Sequence, residues 1–349
     1  MTRMRRINLA LQGGGAHGAF TWGVLDRLLD DEDLEIAAIS GTSAGALNGA
    51  AFKSGMAQGG RDGARTTMRA LWERVGRGAY DGLPDVPGLP PTADWMRAFF
   101  YPFDYAARLA ETVMPVTPAD LAAQVFSPYD WGPLWKNPLE PAVLSLDIDN
   151  VCADAGPKLF VAATNVHTGK VRVFAGAQVT HAAILASACL PTFFRAVEVG
   201  GEYYWDGGYS ANPALHPLYD PALPDDVVIV SLNPQYRPEV PQSSQEILNR
   251  INEVSFNAAL LRDLRAIAFV KRLIAEGHVA KGAMKDVLVH FIADDRLMRE
   301  LSVRTKVSPT PDLIDRLFRA GRRAAGRFLR AHGQDLNKTA TVDLAAMFS

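Results

Sequence analysis

Cysteine is nearly absent from this chain: Cys152 and Cys189 are the two in 349 residues. Two cysteines give no disulfide framework and no metal-ligand spacing, so no metal is expected. No apolar run is long enough to cross a bilayer. Neither sign of charge dominates. The net charge of −2 argues against nucleic acid as the main partner. There are no internal repeats and no low-complexity linker. The first residues are Arg-rich and then apolar, superficially like a secretion signal. The apolar run is broken at once by Gln12 and the glycines, and no small-residue cleavage site follows, so it reads as a first strand. A cytoplasmic protein is the default expectation, with export by a route without a cleaved signal left open.

What is present is an ordinary globular composition, 48% hydrophobic and 21% charged. The length suits one large α/β domain or two smaller ones. Ile7-Asn8-Leu9-Ala10-Leu11 reads as a buried strand. A helix is predicted from about His17 to Asp30, with Phe20, Val24 and Leu28 on one face. Ile36–Ser40 is a second strand, followed by a helix to about Gly55. Leu159–Asn165 and Lys170–Phe174 read as a strand pair around His167-Thr168-Gly169. A helix over Thr180–Ala188, a strand over Glu202–Trp205 and β-branched strands over Val227–Leu232 and Val287–Ile292 follow. A long helix is predicted over Ser244–Ile274, with Ile247, Ile251, Val254, Ala258, Leu261 and Leu264 as its buried stripe. A last helix runs from about Pro311 to Arg330. Repeated strand–turn–helix units mark a mostly parallel sheet covered by helices.

Residues 76–141 differ. Prolines recur there from Pro84 to Pro141, and aromatics such as Trp95, Phe99, Tyr101, Phe103, Trp131 and Trp135 sit among them. Short helices and loops laid over the sheet as a cap are expected. The segment reads equally as an apolar lid for an acyl chain and as an insertion whose aromatics pack on one another.

The chemistry concentrates at two glycine clusters. Gly41-Thr42-Ser43-Ala44-Gly45 follows the second strand and precedes a small-residue helix. That is the local sequence of a nucleophile elbow, with Ser43 held out at the strand's end. Upstream, Gly13-Gly14-Gly15-Ala16-His17-Gly18 matches G-x-G-x-x-G between a strand and a helix, which invites a dinucleotide reading. That reading also needs an acid ending the second strand. Here the strand ends in Ser40-Gly41-Thr42-Ser43, and Asp30, Asp31, Glu32 and Asp33 precede it, so no nucleotide is expected. Successive glycine amides aimed at one point suit an oxyanion hole better. The elbow adds the N–H of Ala44.

A serine nucleophile needs a base. Asp206 follows an apolar strand and precedes Gly207 and Gly208, which clear space around it. His216, His278, His290 and His332 are the histidines in the chain order of a triad. Only His216, just after Asp206, is tempting, and a lone histidine in such places is usually structural. An aspartate acting near neutral pH gains from a less polar site that raises its pKa above ~3.9. The neighbouring Tyr204 and Trp205 suggest one.

G-G-G-x-x-G, then G-T-S-A-G about 30 residues on, then Ala186-Ser187-Ala188-Cys189-Leu190-Pro191 and Asp206-Gly207-Gly208, together resemble the patatin-like phospholipase family. The resemblance spans residues 13–208. It implies a three-layer α/β sandwich with a Ser–Asp dyad in place of a triad. It carries nucleophile to Ser43, proton acceptor to Asp206 and oxyanion donors to Gly13, Gly14 and Gly15. Gly18, Gly41, Gly45, Gly207 and Gly208 are the accompanying motif glycines. It implies hydrolysis of acyl esters, typically of phospholipids or other lipids, without metal or cofactor. A catalytic domain over 5–235, including the cap, and a helical extension over 236–349 with at least one further core strand follow. His17 stands where the family commonly has Arg or Lys, so a fixed positive charge near the oxyanion is not assured. A soluble esterase, lysophospholipase or thioesterase acting on monomeric substrates is the alternative within the class; a non-catalytic lipid-binding module is the alternative outside it. The last helix carries Arg316, Arg319, Arg322, Arg323, Arg327 and Arg330 opposite Leu313, Leu317, Ala324 and Phe328. Such a basic amphipathic helix lies on anionic lipid at a membrane periphery, or packs its stripe on the core.

Overall fold

The computed structural model describes residues 4–77, 127–130, 137–191, 193–280, 282–307 and 309–348. Most of the expected cap therefore lies outside the described residues. The chain opens by alternating strands and helices: β1 (Arg5–Leu11), α1 (Gly18–Leu28), β2 (Leu34–Thr42) and α2 (Ala44–Arg77). Two short helices, α3 (Glu140–Leu144) and α4 (Ile148–Cys152), lead to β3 (Lys158–Asn165), β4 (Val171–Ala175), α5 (His181–Ser187), β5 (Val197–Val199) and β6 (Glu202–Asp206). The last part comprises β7 (Asp226–Val230), α6 (Ser244–Ala275), β8 (Leu288–Ile292), α7 (Asp295–Glu300), α8 (Val303–Val307), α9 (Pro311–His332) and α10 (Leu344–Met347).

The strands form one sheet in the order β5-β6-β3-β2-β1-β7-β8, with β4 also on β3. β3, β2, β1, β7 and β8 are mutually parallel, while β4, β5 and β6 add an antiparallel end. Strand order runs outward from β1 in both directions. The crevice at the carboxyl ends of β1 and β7 is therefore a topological switch point, the usual ligand position of open α/β sheets. Alternation along each strand feeds both faces. Leu9, Leu11, Val228 and Val230 enter a core with α1, α2 and α9. Ala10, Val227, Ile229 and Val289 enter a second core with Leu260, Leu264 and Ile267 of α6. This is the mostly parallel, helix-covered sheet that the sequence pattern predicts.

Both edges of β3 are used, and one is divided. β4 covers Phe160 to Thr164 on one edge. On the other, β2 pairs with Lys158 to Ala162, and β6 takes over from Ala163 to Asn165. Because β4 shares pairing residues with both, β2 and β6 lie on the same edge, end to end. Asp206, opposite Ala163, thus sits just beyond Thr42, opposite Ala162.

Two helices differ from expectation, and α9 takes one of the two arrangements expected for it. α2 runs on past Gly55 to Arg77, broken by non-helical backbone at Gly59 and Gly60 (φ 59°), so it is two helices in line across a kink. α6 begins with a capping box between Ser243 and Glu246. Its predicted stripe is corrected: Ile247, Ile251 and Val254 are exposed, and the inward face of its first half carries Glu253, Phe256 and Asn257. That end of the helix passes the crevice, where polar partners await, and only its second half reaches apolar core. α9 starts at Thr310, whose side chain caps the Leu313 N–H, with Pro311 at N1. Its apolar stripe, including Leu317, Ala324 and Phe328, is buried against the fold and is not offered to lipid. Its arginines pair locally: Arg322 with Asp26 and Asp30, Arg316 with Glu300, and Arg327 with Asp294. Among the described residues no helix is long and apolar enough to cross a membrane.

α9 and α1 approach backbone to backbone. A Cβ on Gly321 would strike the Phe20 carbonyl, and one on Gly23 would strike that of Phe318. Gly321→Val should therefore destabilise by about 1–3 kcal/mol through overpacking, measured as a lower midpoint in urea unfolding. An unchanged midpoint would show that the helices can separate freely.

Candidate active site

Ser43 sits between the end of β2 and the start of α2, at φ 55° in the left-handed region. A side chain there is strained by roughly 1–3 kcal/mol, and the surroundings must hold it. They do so through named bonds. The Ser43 N–H donates to Ser187 Oγ (2.9 Å), and Ser187 Oγ donates to the Ala162 carbonyl (2.6 Å). Thr42 Oγ1 donates to the Ala211 carbonyl (2.8 Å). Gly45 lies so close to β1 that a Cβ would strike the Leu11 carbonyl. Gly41, one residue before the end of β2, packs against the Gly45 backbone. Gly18 opens α1 against the Ala44 methyl and Trp72.

Asp206 is fully buried at the end of β6. Its Oδ1 accepts the Gly208 N–H (2.7 Å) across the turn that Gly207 and Gly208 form. Burial pushes its carboxyl up from an ordinary 3.8 to about 6, against the opposing pull of the Gly208 N–H, the Ser43 hydroxyl and the Lys306 ammonium. Its Oδ2 has no partner of full hydrogen-bond geometry among the described residues. The serine hydroxyl is thus beside the carboxylate and not yet aligned on it, as catalytic pairs without substrate often are.

The glycine loop leaves β1 at the switch point. The Gly13 N–H is engaged, donating to Asn212 Oδ1 (2.6 Å). The N–H groups of Gly14, Gly15 and Ala44 have no acceptor among the described residues. Gly15 and Ala44 line the cavity beside Ser43, and the Gly13 N–H is spent on holding the loop to Asn212. A buried amide network supports it. Gln12 Oε1 accepts from the N–H groups of Leu232 (2.8 Å) and Asn233 (3.1 Å), and Gln12 Nε2 donates to Asn257 Oδ1 (3.2 Å).

Positive charge at the site does not come from position 17. His17 is buried, its Nε2 meets Thr305 Oγ1 (2.7 Å), and burial pushes it down to about 3, so it is neutral. Lys306 of α8 lies there instead. Its Nζ donates to Asn233 Oδ1 and Asn252 Oδ1 (2.8 Å each), and burial lowers its ammonium to about 8. The cavity over Ser43 measures about 390 Å³ and is lined by Gly15, Ala44, Leu47, Trp72, Leu190, Phe193, Phe194, Lys306 and others. Its walls are mostly apolar, as acyl-chain sites require.

The histidines weighed as triad members are elsewhere. His290 is buried in β8 against Asp226 (3.0 Å), His278 lies by Glu276 (3.5 Å) and His332 by Asp335 (3.0 Å). His216 opens a short turn after the crevice and is not among the cavity's lining residues. Asp30 and Asp31, ahead of β2, are held by Arg65 (2.6 Å) and Arg5 (2.8 Å). No cluster of His, Cys, Asp and Glu suited to a metal occurs among the described residues.

Sequence reasoning missed Gln12, Asn212, Asn233, Asn257 and Lys306, and assigned no role to Ser187. Only Ser187 stood in a recognisable motif; the amides and the lysine carry no local signal. The burial of Asp206 has a stability consequence. Between its ordinary value and about 6 the folded state holds a proton that the unfolded state has released, so stability falls as pH rises through that window. Asp206→Asn, which never ionises, should melt higher than wild type above about pH 6, with the gap closing as pH falls toward about 4. A variant melting lower throughout would show that the carboxylate is stabilising.

A family model described as patatin-like phospholipase matches residues 9–219, more than half of the chain. No curated protein matches it. Among solved structures, VipD from Legionella pneumophila aligns over 94% of this chain and 67% of its own, at 14% identity and a TM-score of 0.42. On the family match, with its glycine loop, serine elbow and D-G-G turn all at one crevice, the chain belongs to the patatin-like phospholipase family.

Proposed function

We propose that this protein is a serine lipid acyl hydrolase that cleaves carboxylic esters of phospholipids or related acyl lipids by a Ser43–Asp206 dyad. One observation carries the reading. Thr42, which Ser43 follows in the left-handed conformation, and Asp206, at the end of β6, pair with the successive residues Ala162 and Ala163 on one edge of β3. Two strands pairing with a third hold serine and carboxylate more precisely than loops would.

The chemistry then runs in two steps. Ser43 Oγ bonds to the ester carbonyl carbon as its proton passes to Asp206 Oδ2, the oxygen without an aligned partner. The carbonyl oxygen becomes an oxyanion facing the amides of Gly14, Gly15 and Ala44; one such donor is worth about 3–4 kcal/mol of barrier. The ester C–O bond breaks, and the departing alcohol takes the proton from Asp206. Water then attacks the acyl-Ser43 carbonyl, giving a proton to Asp206. Collapse releases the fatty acid and returns the proton to Ser43. The apolar walls of the cavity supply the acyl-chain site, and no metal or cofactor enters.

A fluorophosphonate probe should label Ser43 in the wild type, with the site read by peptide mass spectrometry. Ser43→Ala should abolish labelling, and Ser43→Ala and Asp206→Asn should each lower ester hydrolysis by about 10³-fold or more. Near wild-type turnover by either variant would refute the dyad. As Asp206 must be ionised to accept a proton, kcat/KM should fall below about pH 6, about tenfold per pH unit. Hydrolysis of a lipid panel, with products weighed by mass spectrometry, assigns the lipid class. Turnover confined to monomeric esters would favour the soluble-esterase alternative.

A further inference from the structure

We infer that Lys306 is a positioning residue that holds Asp206 in its proton-accepting form, resting on the dyad reading above. Lys306 lies in α8, outside the residues matched by the family model. Its backbone carbonyl lies directly over Gly15, so the residue roofs the glycine loop. Its side chain then reaches across the crevice. Nζ is fixed by Asn233 Oδ1 and Asn252 Oδ1, both at 2.8 Å, and stands 5.6 Å from the centroid of the Phe256 ring. The same ring lies against Tyr209 and against Gly208, whose N–H holds Asp206 Oδ1 (2.7 Å). The Phe256 ring therefore borders both the ammonium and the turn that holds the carboxylate.

Both hydrogen-bond partners of this ammonium are neutral amides. An enclosed cation with only neutral partners is costly unless an anion lies nearby. Two carboxylates act on it, Glu253 and Asp206. Glu253 is already matched by two cations, Arg237 (2.6 Å) and Arg250 (3.3 Å). Asp206 has none at contact distance among the described residues. The remaining groups around the dyad carry no charge near neutrality. The Cys189 thiol and the Tyr209 hydroxyl are both pushed up to about 12, and His17, facing Lys306 from the glycine loop, is held neutral. Among the described residues, Lys306 is the cation whose field acts on Asp206.

The consequence is directional. Burial favours the protonated carboxyl, which cannot accept the Ser43 proton. The ammonium favours the carboxylate. The two amides hold Nζ in place without neutralising it, so its field stays directed at Asp206. Direct contact would do the opposite of what the site needs, because an ion-paired carboxylate is a poor proton acceptor. The hydrogen bonds of Nζ go to the two amides and not to Asp206, so the influence stays electrostatic.

The test is the pH dependence of Ser43 labelling by a fluorophosphonate, whose rate reports nucleophile activation without knowledge of the natural lipid. Lys306→Gln should move the acid limb of the labelling rate upward by about one pH unit, the effect of one charge several ångströms away at an effective dielectric of about 20. The loss should approach tenfold on the acid side and fade at alkaline pH. Lys306→Arg should restore the wild-type limb. If Lys306→Gln does not fold, Asn252→Asp serves: a carboxylate beside Nζ cancels its field and should move the limb the same way. An acid limb left in place, or a loss equal at every pH, overturns the inference while leaving the dyad intact. A wild-type protein that is not labelled at Ser43 overturns the dyad reading, and this inference with it.

Discussion

The site depends on how one strand divides its edge. β3 is parallel to β2 as far as Ala162 and antiparallel to β6 from Ala163. Neither partner could extend further without displacing the other. The chain leaves β2 sharply at Thr42, and that turn places Ser43 in the left-handed conformation. It enters from β6 at Asp206 for the same reason. Serine and aspartate are 163 positions apart in the chain, yet the same ladder of backbone hydrogen bonds sets both. Even Ser187, which fixes the Ser43 amide, takes its own bearing from the Ala162 carbonyl at the changeover.

Around this changeover the crevice is built from buried polar groups, each with a partner. Gln12, Asn212, Asn233 and Asn257 join the glycine loop to the β7 end and to α6. Such networks are high-stakes, because an unpaired member in a low dielectric is costly, and a satisfied one permits a single arrangement. This explains why α6 turns polar residues inward along its first half while its second half is apolar. The burial that this scaffold imposes also raises the Asp206 carboxyl toward neutrality, where a base is useful.

The C-terminal third is part of the same architecture. β8 extends the sheet next to β7, and α9 packs on α1 at glycine-to-backbone distance. α8 brings Thr305 to His17 and Lys306 over Gly15. The substitution of His17 for a basic residue, conspicuous in the sequence, thus has a structural counterpart: a neutral histidine is tucked under the segment that delivers a lysine. In chain order the two are 289 residues apart.

Local chemistry was legible in the residues themselves. Glycines flanking Ser43, the triple glycine after β1, the Asp206-Gly207-Gly208 turn and the period-two strands all act through short-range sterics and hydrogen bonds, and these need no distant partner to be recognised. The approximate spans of α1, β2, α5 and α9 followed from apolar runs and spacing for the same reason. The kink that carries α2 to Arg77 and the exposed stripe of α6 were not legible. Apolar spacing names a candidate face, but only packing decides which face is buried. What the sequence determined by itself was the fold class and the residues of the candidate dyad. What the tertiary structure decided was which amides stay open around Ser43, that Gly13 is an anchor, and that the site's cation comes from α8. Those depend on long-range enclosure, because desolvation and charge proximity exist only once distant segments have closed around the same crevice.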